Sequence, residues 1–201
     1  CRIFCCQGGK TVYKYEKRVY NNYILTVRSD KMRNSLFLKI ISETASRSRL
    51  IVTAQYIQHG ETSCLLHSIA VAYYCYRLSV RLGFLRLNKR ELIRGALLHD
   101  YFLYDWHIPD KNRPLHGPYH PTAALINAES DFHLSERERD IIKKHMFPLT
   151  LALPAFKESY AVCLVDKFCS VREILMKKPY KNRQILSALE TVCKTGNKKK
   201  K

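Results

Sequence analysis

The chain has no Cys-x-x-Cys pair among its eight cysteines, so the paired-thiolate spacing of a zinc ribbon is missing. It has no uncharged apolar run of 18 residues, and hence no candidate membrane-spanning helix. No stretch resembles a signal peptide, and a reducing cytosol is the expected compartment. Cys64, Cys75 and Cys163 fall in apolar helical patterns, where a free cysteine acts as a small hydrophobe. Acidic residues are scarce, with 17 Asp/Glu against 35 Lys/Arg and a net charge of +18. That excess invites a nucleic-acid partner, yet its distribution argues against one. Residues 1–50 hold 11 basic and 3 acidic side chains, residues 51–150 hold 12 and 10, and residues 151–201 hold 12 and 4. The centre is nearly neutral, and the run Lys198-Lys199-Lys200-Lys201 reads as a solvated tail.

At 201 residues there is room for one domain with flanks, and a domain of about 150 residues buries roughly 70% of its unfolded surface. Residues 1–33 show no sustained helical period and read as a poorly ordered basic lead-in, with at most a short strand through Thr11-Val12-Tyr13-Lys14-Tyr15. The domain is expected over residues 34–193 and the Lys-rich tail over 194–201. A helix starts at Ser35 and runs to about Ser46, and a second starts near Arg49. Thr62 or Ser63 caps a helix that stops at Gly83, and Asn88 caps one through Asp100 with Glu91 as its capping-box partner. Pro109, Pro114, Gly117 and Pro118 make residues 102–119 a long loop, after which Pro121 opens a helix to about Ala128. Ser135 with Glu138 opens another that delivers His145, and the last two span about Phe156–Met176 and Asn182–Cys193. About seven helices, no convincing strand and no repeat predict an all-α bundle.

Within these helices lies an ordered series: His67, His99-Asp100, His120, His145 and Asp166. Each sits in or beside an apolar stretch, where imidazoles and carboxylates are costly unless something binds them. A metal offsets that cost. Six nitrogen and oxygen donors exceed the needs of one four-coordinate zinc and suit two octahedral-leaning ions such as iron or manganese. The bland alternatives are a core histidine bonded to a carbonyl for His67, a helix cap for His99, a salt bridge for Asp166 and a surface position for His145. His116 competes with His120, being four residues earlier in the Gly/Pro loop.

The order H…HD…H…H…D resembles the HD-domain superfamily of metal-dependent phosphohydrolases, in its binuclear branch. The words Leu66-His67-Ser68, Leu98-His99-Asp100, His120-Pro121, Lys144-His145-Met146 and Val165-Asp166-Lys167 carry the resemblance over roughly residues 50–175. It is nearest to a group of small bacterial HD proteins with no defined substrate. The resemblance implies that His67, His99, Asp100 and Asp166 hold one ion and that Asp100, His120 and His145 hold the other. It implies hydrolysis of a phosphate ester or anhydride, with a nucleotide as one candidate substrate, by attack of a metal-bound hydroxide. Lys167, His116, His59 and His107 are the candidates to meet the substrate, with Lys144 and Arg94 as weaker ones. After His99-Asp100 the chain continues Tyr101-Phe102-Leu103-Tyr104-Asp105, where many relatives have Ile-Gly-Lys. Substrate choice does not carry over, although Asp105 is an available acid and Tyr101–Trp106 an available stacking surface. Two rivals share these residues: a diiron oxygenase with the same ligand order, and a non-catalytic nucleotide-binding module.

Overall fold

A computed structural model describes residues 36–108, 116–176 and 179–198. The lead-in, the short strand expected within it and residues 109–115 of the Pro-rich loop lie outside these residues. Seven α-helices account for nearly all the described secondary structure, and the fold is an all-α bundle. They are α1 (Leu36–Arg47), α2 (Cys64–Arg81), α3 (Lys89–Leu98), α4 (His116–Asp131), α5 (Glu136–Lys144), α6 (Lys157–Leu175) and α7 (Arg183–Lys198). No described helix is long and apolar enough to cross a membrane.

Helix α2 is the hub. Its first ten residues are all buried, because α3, α6 and α7 pack around it. Helix α1 buries Phe37, Ile40, Ile41, Thr44 and Ala45, spaced three and four residues apart along one stripe, and lies against α7. Ser63 caps α2 by accepting from the Leu66 N–H, and Ser135 with Glu138 forms the full capping box on α5. At α3 the sequence expectation needs correction. Asn88 does accept from the Glu91 N–H, but its own N–H donates to Glu158 at 2.8 Å, while Glu91 is paired with Arg137. The box is closed from another helix.

Four other boundaries differ from expectation. The segment after Arg49 is a 3-10 helix, Leu50–Gln55. A small antiparallel hairpin follows, β1 (Ile57–His59) with β2 (Thr62–Ser63), too short to leave an alternating pattern in the sequence. Its turn residue Gly60 has φ +57°, and a Cβ there would meet the Glu173 carbonyl oxygen at 3.0 Å. Helix α4 begins at His116 and runs to Asp131, so Pro121 lies inside it rather than at its start. Helix α7 continues to Lys198, past the expected tail boundary at residue 194. Within this extension Gly196 lets α7 pack closely on Ile51, whose nearest atoms lie 3.0 Å from where a Cβ would be.

Four of the described cysteines sit in the interior as small hydrophobes. Cys64, Cys75, Cys163 and Cys169 are buried and free. The aromatic segment after Asp100 is fastened rather than open. Tyr101 and Phe102 are fully buried, the Tyr101 hydroxyl accepts from the Arg49 N–H and donates to Asp131 at 2.7 Å, and the Trp106 indole donates to the Ile57 carbonyl.

Helices α3 and α5 meet at Gly95, where a Cβ would lie 2.7 Å from Ile141 Cδ1, 3.0 Å from Cγ2 and 3.2 Å from Cβ. Three atoms of one fully buried side chain leave no rotamer that clears the space. Gly95→Ala is therefore expected to destabilise the fold by about 1–3 kcal/mol despite its better helix propensity. Ile141→Val removes Cδ1 and should recover part of that loss. Thermal denaturation of the single and double variants checks it, and an unchanged or raised midpoint for Gly95→Ala would sink the idea.

Candidate metal centre

The helix ends of this bundle converge on one buried point. His67 lies in the first turns of α2, fully buried because α2 is the central helix. His99 and His145 occupy equivalent places, each at the C-cap of its helix, α3 and α5. Each turns Nδ1–H back onto the carbonyl three residues earlier: His99 onto Ala96 at 2.7 Å, His145 onto Ile142 at 2.9 Å. A free carbonyl at a helix end is thereby satisfied. The orientation is also decided: with a proton on Nδ1, the neutral ring would turn the Nε2 lone pair inward. Glu173 does the same for His67, its two oxygens lying 2.9 and 3.0 Å from Nδ1.

Asp100 sits at the middle, with its two oxygens facing different histidines. Oδ2 lies 3.3 Å from His99 Nε2 and 3.7 Å from His67 Nε2. Oδ1 lies 3.2 Å from His120 Nε2 and 3.4 Å from His145 Nε2. Asp166, from the middle of α6, closes the first side with Oδ1 3.2 Å from His67 Nε2 and 3.7 Å from His99 Nε2. His120 and His145 oppose their Nε2 atoms at 2.8 Å on the second side. All six side chains are at least nine-tenths buried as residues.

Six polar groups so placed would be costly if left to themselves. Burial pushes the Asp100 carboxyl up, but the surrounding imidazoles, His99 foremost, win and hold it well below its ordinary value. Asp166 is likewise held down against burial by His67 and His99. Burial lowers His99 while Asp100 and Asp166 raise it, the balance lying at about 9. Burial dominates at His145, whose imidazole is held below its ordinary value. Protons thus stand in the gaps of an acid-and-imidazole cluster, where cations would displace them.

The donor set fits metal. His99 Nε2 and Asp100 Oδ1 are buried without a hydrogen-bond partner. The ligand-atom groupings His67–His99–Asp166 and His99–Asp100–His145 are each compact enough to hold an ion. Both groupings are made of histidines and aspartates alone, so the donors are nitrogen and oxygen.

Other candidates are distributed less favourably. His59, at the end of β1, has its ring 5.7 Å from that of His67, and burial followed by the His67 charge lowers its pKa. Lys167 is beside the cluster, its ammonium donating to the His145 carbonyl at 2.5 Å and to Asp166 Oδ2 at 3.2 Å. His107 is half-exposed and bonds to Asp105, stacking on Trp106, and Asp105 caps that turn by accepting the His107 N–H. Arg94 is clamped by both oxygens of Glu138, and Lys144 pairs with Asp140 at 2.6 Å. His116 is the first residue of α4, and the expectation for its side chain lies outside what is described.

Two residues were missed in the sequence. Glu173 orients His67 and also accepts from the Tyr180 hydroxyl at 2.5 Å. Gln58, buried on β1, donates from Nε2 to Asp100 Oδ2 at 2.6 Å and accepts from the Cys64 thiol. Glu173 follows Asp166 by seven residues, two turns along the same helix face, and that spacing was the available signal. No family model matches the chain, and no curated protein or solved structure is significantly similar to it.

Proposed function

We propose that this chain is a metal-dependent phosphohydrolase of the binuclear HD type, cleaving a phosphate ester or anhydride. The observation that carries the reading is the division of labour at Asp100, whose Oδ2 faces His67 and His99 and whose Oδ1 faces His120 and His145. One carboxylate serving two groups of imidazole lone pairs suits a pair of cations, iron or manganese by ligand type. His67, His99, Asp100 and Asp166 would hold one, and Asp100, His120 and His145 the other. Bound there, the cations supply Lewis acidity toward phosphoryl oxygens and acidify a water.

The chain's own residues do the positioning. The Glu173 carboxylate and the Ala96 and Ile142 carbonyls hold three imidazoles in one tautomer, and Gln58 holds the Asp100 carboxylate. Lys167 places a partly exposed ammonium at the rim, where it would meet a phosphate oxygen and offset developing charge.

The test is metal content followed by turnover. Protein purified without chelator should carry about two transition-metal ions per chain, and His120→Ala or His145→Ala should lose one. Manganese-loaded protein should release phosphate or a nucleotide from some member of a panel of phosphorylated metabolites without oxygen. Lys167→Ala should keep both ions yet lower turnover by about 100-fold. Activity that appears only with iron and oxygen overturns the hydrolase reading in favour of an oxygenase. A loaded protein inert in both assays marks a binding module.

A further inference from the structure

Helix α6 faces the metal centre on one side and carries an unusual surface on the other. Tyr160, Leu164, Phe168, Val171, Ile174 and Leu175 are exposed by 44 to 77%. They recur in steps of mostly three and four residues and share about one third of the helix circumference. Two cations, Lys167 and Arg172, lie within the span from Tyr160 to Leu175, and both are bonded within the fold. Lys167 bonds to Asp166 and the His145 carbonyl, and Arg172 donates to the Pro179 carbonyl and lies over the Tyr180 ring. At the helix start the ring of Tyr160 meets Phe147, 6.0 Å between centroids, and the loop that Phe147 begins exposes Leu149, Leu151 and Leu153. The opposite face buries Val162, Val165, Asp166, Cys169 and Glu173 in the bundle. A helix apolar on both sides is normally covered on both.

We infer that a second copy of this chain covers the stripe, α6 of one protomer packing against α6 of its partner about a twofold axis. The exposed apolar side chains of helix and loop amount to on the order of 1,000 Å², above the ~300–600 Å² of the largest patch on a typical monomer. They match the ~800 Å² that each partner contributes to a standard interface. An apolar stripe whose cations are paired within their own protomer is complementary to itself, as an isologous contact requires. A lipid surface would call instead for free cations rimming the apolar face, whereas Lys167 and Arg172 are bonded within the protomer. The dimer would back each metal centre with the helix that supplies Asp166 and Glu173, so that α6 is clamped from both sides. This inference does not depend on the reaction catalysed.

The experiment is sedimentation equilibrium on the full chain across micromolar concentrations, paired with circular dichroism. The wild-type chain should sediment at twice its 23.5 kDa mass. Leu164→Glu with Val171→Glu, both at positions exposed in the protomer, should weaken association by at least 100-fold while keeping the helical signal. If that pair unfolds the chain, Leu164→Ser with Val171→Ser is read the same way. A wild-type monomer at about 100 μM, or a dimer indifferent to both pairs of substitutions, overturns the proposal. A monomer that cosediments with phosphatidylserine vesicles, and loses this with the same substitutions, also overturns it and assigns the face to lipid.

Discussion

Asp100→Asn is expected to strip the chain of nearly all bound metal and to lower turnover by more than 1,000-fold, whereas single losses at His120 or His145 cost one ion. The asymmetry follows from geometry. Each oxygen of Asp100 faces a different group of imidazoles, and an amide keeps the shape but offers one oxygen and no charge. Its NH2 group would point either at His99 or at His120, placing a donor where a ligand lone pair is needed. The fold should survive the change, because the residues that bury the site belong to a continuous apolar core that Asp100 does not join. Elemental analysis of the folded variant, with its melting curve as control, checks the expectation. Two ions retained in Asp100→Asn would show that the carboxylate is not shared.

Glu173 should produce the second largest effect, although it would touch no metal. It accepts from His67 Nδ1 and from the Tyr180 hydroxyl, all three groups being buried. Glu173→Gln can keep its one oxygen toward both donors, but it sets an NH2 where the second carboxylate oxygen lies 2.9 Å from His67 Nδ1, donor against donor, and removes the negative charge. Such outer partners of a ligating histidine are worth about 10- to 100-fold in metal affinity, and that is the expected loss. Glu173→Ala adds a cavity and two orphaned donors, for a further destabilisation of about 3 kcal/mol. Tyr180→Phe separates the two roles. It removes one hydrogen bond, about 1 kcal/mol, and should leave metal affinity near wild type because His67 keeps its partner. Equal affinity losses for Glu173→Gln and Tyr180→Phe would mean that the whole network, rather than the tautomer of His67, sets the site.

The six clustered side chains were legible in the sequence for a physical reason. Imidazoles and carboxylates inside apolar helices need a common explanation, and helix caps and periodicity place the four histidines and Asp100 at or near a helix end and Asp166 in the middle of one. His99 and His145 are the clearest cases, since the stop of each apolar run marks the position. What escaped was whatever depends on helices meeting. Glu173 reads as a surface acid between Arg172 and Ile174, and only the close approach of the Gly60 turn and of Tyr180 buries it. Gln58 required the hairpin, whose strands of three and two residues are below the length at which alternation is visible. Arg94 and Lys144 look like free cations in sequence, and their carboxylate partners are distant in one case and one turn away in the other.

The cluster draws on α2, the ends of α3 and α5, α4 and α6, so five helices must be docked before six donors can face one another. An unfolded chain holds no such arrangement. Metal held there as proposed would therefore count toward the docked state, by about 2.7 kcal/mol when free metal reaches a hundred times its dissociation constant. A chelator is then expected to lower the melting temperature of metal-loaded protein whether or not substrate is present. Metal supply would set how much of the chain stays folded, independent of any substrate.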